Sequence, residues 1–159
     1  MNTIIHNIQP VYNQESKILI LGSFPSPKSR DQGFFYGHPQ NRFWKVLAAV
    51  LEKKVPENID EKREILLLNY IAMWDVIYSC EIKGAADASI KNPIVNDFDI
   101  IFDVAKIKTV FTTGITATNL YNKLTGKDSI ALPSPSPANA AMNLDILIRH
   151  YKIILDYIK

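Results

Sequence analysis

The sequence predicts an α/β fold in three layers, αβα, around a central, mainly parallel four-stranded sheet. Two observations carry this. Apolar runs of strand length at 17–21, 71–80, 108–114 and 129–133 alternate with segments whose apolar residues recur at helical spacing. Strand alternating with helix favours a parallel sheet covered on both faces. A consequence for function follows: in such sheets the loops that leave the carboxyl ends of the strands share one edge, and that edge is where ligands bind.

A chain of 159 residues, 47% of them hydrophobic, fits a single domain spanning 1–159 with a full core. Residues 1–16 offer only Ile4, Ile5, Ile8, Pro10 and Val11 as packing groups and read as an irregular arm. The run 17–21, closed by Gly22, reads as a buried strand, and Pro25 and Pro27 argue against a helix directly after it. A loop of about 20 residues then runs to a helix that starts near Arg42, and a loop of that length is uncommon without a function. In the helix, Phe43, Trp44, Val46, Leu47, Val50 and Leu51 form one apolar face, and Lys53, Lys54 and Pro56 end it. Asp60 is the expected N-cap of a second helix reaching Leu68, with acidic residues in its first turn.

The run 71–80 reads as the second strand, followed by a long polar connection at 81–97. Asp97 is placed to cap a short helix at 98–105, before the third strand at 108–114 and a helix at 115–124. The fourth strand, 129–133, runs into the turn SPSPAN. Leu144, Ile148, Tyr151, Ile154, Leu155 and Ile158 define an amphipathic closing helix. Six of the nine prolines (Pro25, Pro27, Pro39, Pro133, Pro135, Pro137) fall in the loops after the first and fourth strands, which makes those loops the prime functional suspects.

Composition narrows the functional classes. No apolar run reaches the roughly 20 residues that cross a bilayer, and the amino terminus lacks a charged start with an apolar signal core, so a soluble, cytoplasmic protein without membrane contact is expected. A lone Cys80 forms no internal disulfide and is assigned to packing. The net charge of +2 tolerates a polyanionic partner without requiring one. Phosphate-loop, dinucleotide, metal-cluster and serine-elbow signatures are all absent, which narrows the field. A glycine before the helix at 115 is read as structural rather than as an anion site.

The first loop is more informative. Recognition of a base outside a duplex needs an aromatic face and groups that hydrogen-bond the base edge; Phe24, Tyr36, Asn41 and the peptide groups around Ser23 supply those types. Phe34, Phe35 and Trp44 are assigned to the core. Two alternatives stay open here: Asn41 as a helix N-cap, and His38 as either a general acid or a structural loop residue.

GSFPS after the first strand, FFYGHPQNRFWKVL at 34–47 and LPSPSPAN at 132–139 together resemble the uracil-DNA glycosylase superfamily. GHPQNRFWKVL is similar to the mismatch-specific uracil/thymine branch. MWDVIYSC, the KNPIVNDF segment and SPSPAN resemble more closely the hypoxanthine-DNA glycosylase branch, the DNA-deoxyinosine glycosylases. The resemblance implies a monofunctional enzyme, with no metal and no cofactor, that flips a deaminated base out of DNA and hydrolyses its N-glycosidic bond, leaving an abasic site for downstream repair enzymes. By motif it implies that Tyr36 stacks on the flipped base and that Gly22, Ser23, Phe24 and Pro25 form the turn contacting water and base. Asn41 matches the amide of the long motif, and Ser134, Pro135, Ser136, Pro137 and Asn139 match the loop that presses on DNA.

Two departures count against uracil as the preferred base. Phe24 stands where the mismatch-specific branch carries a catalytic asparagine, and LPSPSPAN lacks the histidine of the strict uracil enzymes. With Phe24 unable to orient water, Asn41 is the leading catalytic residue, through its side-chain carbonyl, and Asp31, the only carboxylate of the first loop, is its rival. Backbone donors of the 22–26 turn, or His38, are placed to stabilise the departing base. Lys28 and Arg30 are candidates for phosphate contacts, against plain solvation. The competing classes are a non-catalytic nucleic-acid or nucleotide-binding module, which Phe24 keeps open, and a nucleoside hydrolase, which would need carboxylate or metal chemistry that the loop does not show.

Overall fold

The computed structural model describes residues 2–159; Met1, the first residue of the expected arm, lies outside them. In chain order the elements are β1 (Thr3–Ile5), β2 (Ile18–Gly22), α1 (Pro27–Gln32), α2 (Phe43–Leu51), α3 (Ile59–Leu68), β3 (Ile71–Asp75), β4 (Ile77–Glu81), β5 (Lys91–Val95), α4 (Asp99–Phe102), β6 (Thr109–Thr113), α5 (Ile115–Thr125), β7 (Ile130–Leu132) and α6 (Leu144–Tyr151). Short 3-10 helices lie at Asp87–Ser89 and Lys152–Tyr157.

The main sheet has the order β3-β2-β6-β7 and every pairing in it is parallel. Helices cover it in the three-layer arrangement expected from the alternation. All five residues of β2 and all five of β3 are buried, which is why both read as unbroken apolar runs instead of alternating ones. The register sets Gly22 beside Asp75, and Thr113 beside Leu132. The carboxyl ends of the four strands therefore finish along one edge, and the loops that follow them emerge together.

Several local expectations need correction. Residues 27–32 are helical despite the prolines, because Pro27 sits at the first helical position, where its missing N–H costs nothing, and Ser26 caps Ser29 N–H. The run 71–80 is two strands. After Asp75 the chain leaves the main sheet: Val76 N–H donates to Gly22 O, Ile77 N–H donates to Ser23 O, and β4 enters a second, antiparallel sheet of order β1-β4-β5. No glycine or proline marks that break, so periodicity alone misses it. The arm supplies β1, and the polar connection supplies β5, whose Pro93 is tolerated because β5 is an edge strand. Asn58, not Asp60, caps α3, and the closing helix tightens into a 3-10 turn after Tyr151.

The core agrees with the pattern of apolar residues. Phe34, Phe35, Trp44 and Cys80 are buried, and the two indole N–H groups donate to Phe35 O and Ile8 O, so neither ring leaves a polar atom stranded. No helix of the described residues is long and apolar enough to cross a membrane.

Candidate active site

A cleft of about 330 Å3 opens at the carboxyl edge of the main sheet. It is lined by Gly22, Ser23, Phe24, Pro25, Ser26, Ser29, Phe35, Tyr36, His38 and Asn41 from the first loop and by Ser134–Ala138 from the loop after β7; Asp75, Thr113, Ala85 and Asp87 complete it. A wider hollow of about 610 Å3 lies at the amino ends of β6 and β7, among Asp99, Phe102, Lys106, Lys127 and Asp128. None of the three motifs reaches it, and its lysines and carboxylates are solvated surface groups, so the smaller cleft is the candidate site.

The first wall is built on aromatic packing. Tyr36 lies flat on Phe43, with ring centroids 4.3 Å apart and planes 15° from parallel, and its hydroxyl shares a 2.6 Å hydrogen bond with Thr113 Oγ1 at the end of β6. Its backbone is left-handed, φ 51°, a strained conformation for a tyrosine that the surrounding packing holds in place. Burial raises the Tyr36 phenol well above its ordinary range, with the Thr113 hydrogen bond opposing and Asp75 and Asp87 adding, so the hydroxyl stays protonated.

Asn41 faces the cleft, but its Oδ1 accepts a 2.9 Å hydrogen bond from Phe43 N–H at the start of α2. The capping bond leaves the side chain free for more: one lone pair of the carbonyl is engaged, and the amide nitrogen and the second lone pair remain. His38 is exposed at the mouth. Its Nδ1 accepts from Gln40 N–H at 3.1 Å, so the neutral ring carries its proton on Nε2.

The floor is made of strand ends. Gly22 has no side chain because there is no room for one: a Cβ there would lie 2.8 Å from Asp75 Oδ1 and 3.0 Å from the Tyr36 hydroxyl. Asp75 is 5% exposed, and its Oδ2 is buried without a hydrogen-bond partner. Burial, with the nearby charge of Asp87 adding, pushes its carboxyl up to about 7. Asp87 reaches the rim from the 3-10 turn and accepts a 2.9 Å hydrogen bond from Ser23 Oγ. It keeps contact with solvent, and its carboxyl is also raised, chiefly by the crowding of the cleft walls and against the lowering effect of that hydroxyl.

The second wall is held by one cation. Arg42 donates from Nε to Pro135 O (3.3 Å), from Nη2 to Ser136 O (2.8 Å) and Asn139 O (3.2 Å), and from Nη1 to Met142 O, while its backbone N–H also reaches Pro135 O. No carboxylate shares that guanidinium among the described residues. The loop stiffens itself as well: Ser134 Oγ accepts from Ser136 N–H, Ser136 Oγ from Ala138 N–H, and Asn139 Nδ2 donates to Ser134 O.

The structure thus brings Gly22, Ser23, Phe24, Pro25, Tyr36, His38, Asn41, Ser134, Pro135, Ser136 and Pro137 around one cleft. Others fall outside it. Asn139 spends its amide inside its own loop, and Lys28 and Asp31 are exposed on α1, away from the lining. Arg30 turns inward, its guanidinium 5.4 Å from the centre of the Phe24 ring, instead of reaching for solvent as a phosphate contact requires. Phe24 is correspondingly 7% exposed, with the edge of the neutral His6 ring on it at 5.3 Å, so it supports the turn more than it offers a stacking face.

Sequence reasoning missed Asp75, Asp87, Thr113 and Arg42. For Asp75 a signal existed, a lone carboxylate closing an apolar strand at the sheet's ligand edge; Asp87 sits in a polar loop where nothing local marks it. Among the described residues no group of three or more His, Cys, Asp or Glu is placed to hold a metal ion.

Comparison with known proteins points the same way as the geometry. The sequence model of the uracil DNA glycosylase superfamily matches residues 9–157. A hypoxanthine DNA glycosylase of Methanosarcina barkeri (strain Fusaro / DSM 804) is 36% identical over 107 residues, 66% of this chain and 68% of the relative. A hypoxanthine DNA glycosylase of Methanosarcina acetivorans is 32% identical over 133 residues, 81% of this chain and 84% of the relative. The solution NMR structure of a candidate uracil DNA glycosylase from Methanosarcina acetivorans superposes with a TM-score of 0.77 at 25% identity, covering 94% of this chain and 98% of that one.

Proposed function

The chain belongs to the uracil DNA glycosylase superfamily, and on that premise we propose that it excises hypoxanthine from deoxyinosine in DNA, hydrolysing the N-glycosidic bond of the flipped base and leaving an abasic site. The observation that carries this reading is the convergence of the two motif loops on one cleft at the sheet's carboxyl edge, with an aromatic ring, an amide and a carboxyl facing the same space.

The chemistry follows from those groups. Breaking the bond leaves oxocarbenium character on the sugar and negative charge on the base. Tyr36, backed by Phe43 and tethered through Thr113, presents its free side to the base as a fixed stacking surface, so little is lost in ordering it when the base arrives. Asn41 orients the attacking water. Phe43 N–H fixes its carbonyl, and the second lone pair of Oδ1 is the acceptor that aims the water, with the amide nitrogen beside it for the base or sugar. Asp31 is exposed on α1 and does not line the cleft, which favours Asn41 over it. The Nε2–H of His38 lies at the mouth, within the region where sugar and phosphate enter. The rigid loop Ser134–Pro137, braced by Arg42, supplies the surface against which the DNA backbone is pressed. The reaction needs water and no cofactor, and its product is the substrate of an enzyme class that processes abasic sites.

The test is a panel of labelled duplexes carrying hypoxanthine, uracil, xanthine or a thymine mismatch, each followed by nicking at abasic sites. Cleavage is expected first and fastest at hypoxanthine. Binding to the lesion duplexes with no abasic product from any of them would favour a non-catalytic module instead.

A further inference from the structure

Resting on the glycosylase reading above, we infer that Asp75 works as a neutral carboxylic acid and donates a hydrogen bond to the carbonyl oxygen on the leading edge of the flipped base.

Depth decides which part of a nucleotide Asp75 meets. It ends β3 in register with Gly22 and is buried, its Oδ1 bordering Gly22 together with the Tyr36 hydroxyl, whereas Asn41 and His38 are more exposed. A base that swings into the cleft enters with the edge farthest from its glycosidic bond in front. For hypoxanthine that edge carries the C6 carbonyl and N1–H. Sugar and attacking water stay near the mouth with Asn41, so the floor carboxyl faces the base and not the anomeric carbon.

The surroundings fix its protonation. No lysine or arginine lines the cleft, and none of the ion pairs among the described residues involves Asp75. The Tyr36 hydroxyl, held by Thr113, borders Gly22 together with the Asp75 carboxyl, the Asp87 carboxyl lies near enough to act on it, and Asn96 donates its amide N–H to the Asp75 main-chain carbonyl at 2.9 Å. A buried carboxylate with no cation, an unpartnered oxygen and a second carboxyl nearby is unfavourable, so the proton is retained to about pH 7. A carboxylic acid kept neutral in this way is a donor held ready for developing charge.

The second loop explains the need. Ser134 and Ser136 accept hydrogen bonds from backbone N–H groups through their hydroxyl oxygens, and the loop has no histidine, so what it offers the leaving base is neutral hydroxyls and no acidic side chain. As the C1′–N9 bond breaks, its electron pair leaves with the base and charge spreads to O6, where the Asp75 hydrogen bond strengthens. Water supplies the oxygen bound to C1′, and a proton of that water ends on the base. Asp75 keeps its own.

The test compares single-turnover cleavage of a deoxyinosine duplex by wild type, Asp75→Asn and Asp75→Ala from pH 6 to 9, with a carbon-13 titration of the Asp75 carboxyl. Wild type is expected to lose about tenfold per pH unit above 7. Asp75→Asn, which keeps a donor that does not titrate, should stay within about tenfold of wild type with a flat profile, and Asp75→Ala should fall about a hundredfold with an unchanged circular dichroism spectrum. The carboxyl resonance should titrate near 7. A midpoint below 5, or an Asp75→Ala rate equal to wild type, would overturn the inference. If wild type cleaves no duplex, the glycosylase reading fails while the titration still decides the state of Asp75.

Discussion

The walls of the cleft and its floor are built in different ways, and the difference explains what each can do. The walls are contiguous segments, rich in aromatics, amides and prolines, stiffened by stacking and by hydrogen bonds within the loop or from Arg42. The floor is assembled from residues far apart in the chain, Gly22, Asp75 and Thr113, whose only common property is that they end neighbouring parallel strands. Walls shape and hold a ligand. The floor, buried and lined by no cation, sets the proton state of whatever sits on it.

Floor and wall meet most tightly at Gly22. Adding one methyl group there places it within 2.8 Å of Asp75 Oδ1 and 3.0 Å of the Tyr36 hydroxyl, so floor and wall must both move. Gly22→Ala is expected to lose about a hundredfold or more in single-turnover rate, the scale of a misplacement of roughly 1 Å. Near-normal activity would show that floor and wall are less tightly joined than the packing indicates.

A second break is thermodynamic. The Asp75 carboxyl holds its proton more tightly folded than unfolded, so the folded protein binds more protons between pH 4 and 7 and stability falls as pH rises through that window, with the full cost present above it. Asp75→Asn removes the titration, and urea melts should find it more stable than wild type at pH 8 by on the order of 4 kcal/mol, with the gap closing toward pH 4. A constant gap at all pH values would mean that burial of charge is not its origin.

What the sequence revealed follows the same division. The four parallel strands were legible because β2, β3, β6 and β7 are short apolar runs alternating with helical segments, and most of the wall residues were legible because they lie within two contiguous motifs. The second sheet was not, since the chain passes from β3 to β4 through Val76 without any turn residue, and β5 hides in a polar segment. Arg30 read as a candidate phosphate contact, against plain solvation, until packing placed it on Phe24. Asp75 and Asp87, 12 residues apart, acquire meaning only when the fold sets both against the first loop.

The second wall depends on Arg42 for its bracing. Arg42→Met should speed amide exchange at Asn139 and Met142, whose N–H groups close the turns it braces, and lower activity by about tenfold, as expected for losing charge-assisted hydrogen bonds to Pro135, Ser136, Asn139 and Met142. Unchanged exchange would leave the loop's stiffness to its own serine and asparagine turns. The smallest effect belongs to Lys28, exposed on α1: Lys28→Ala should weaken duplex binding a few-fold, uniformly across lesions, and reduce the salt slope by about one if it meets a phosphate.

The most direct measurement is single-turnover release of hypoxanthine from a deoxyinosine duplex by wild type and by Asn41→Ala, with folding of both confirmed by circular dichroism. Release by wild type, reduced at least a hundredfold in the variant, is the result predicted for hydrolysis in this cleft with Asn41 aiming the water. Equal release by the two proteins would contradict it, and would move the attacking water to another group.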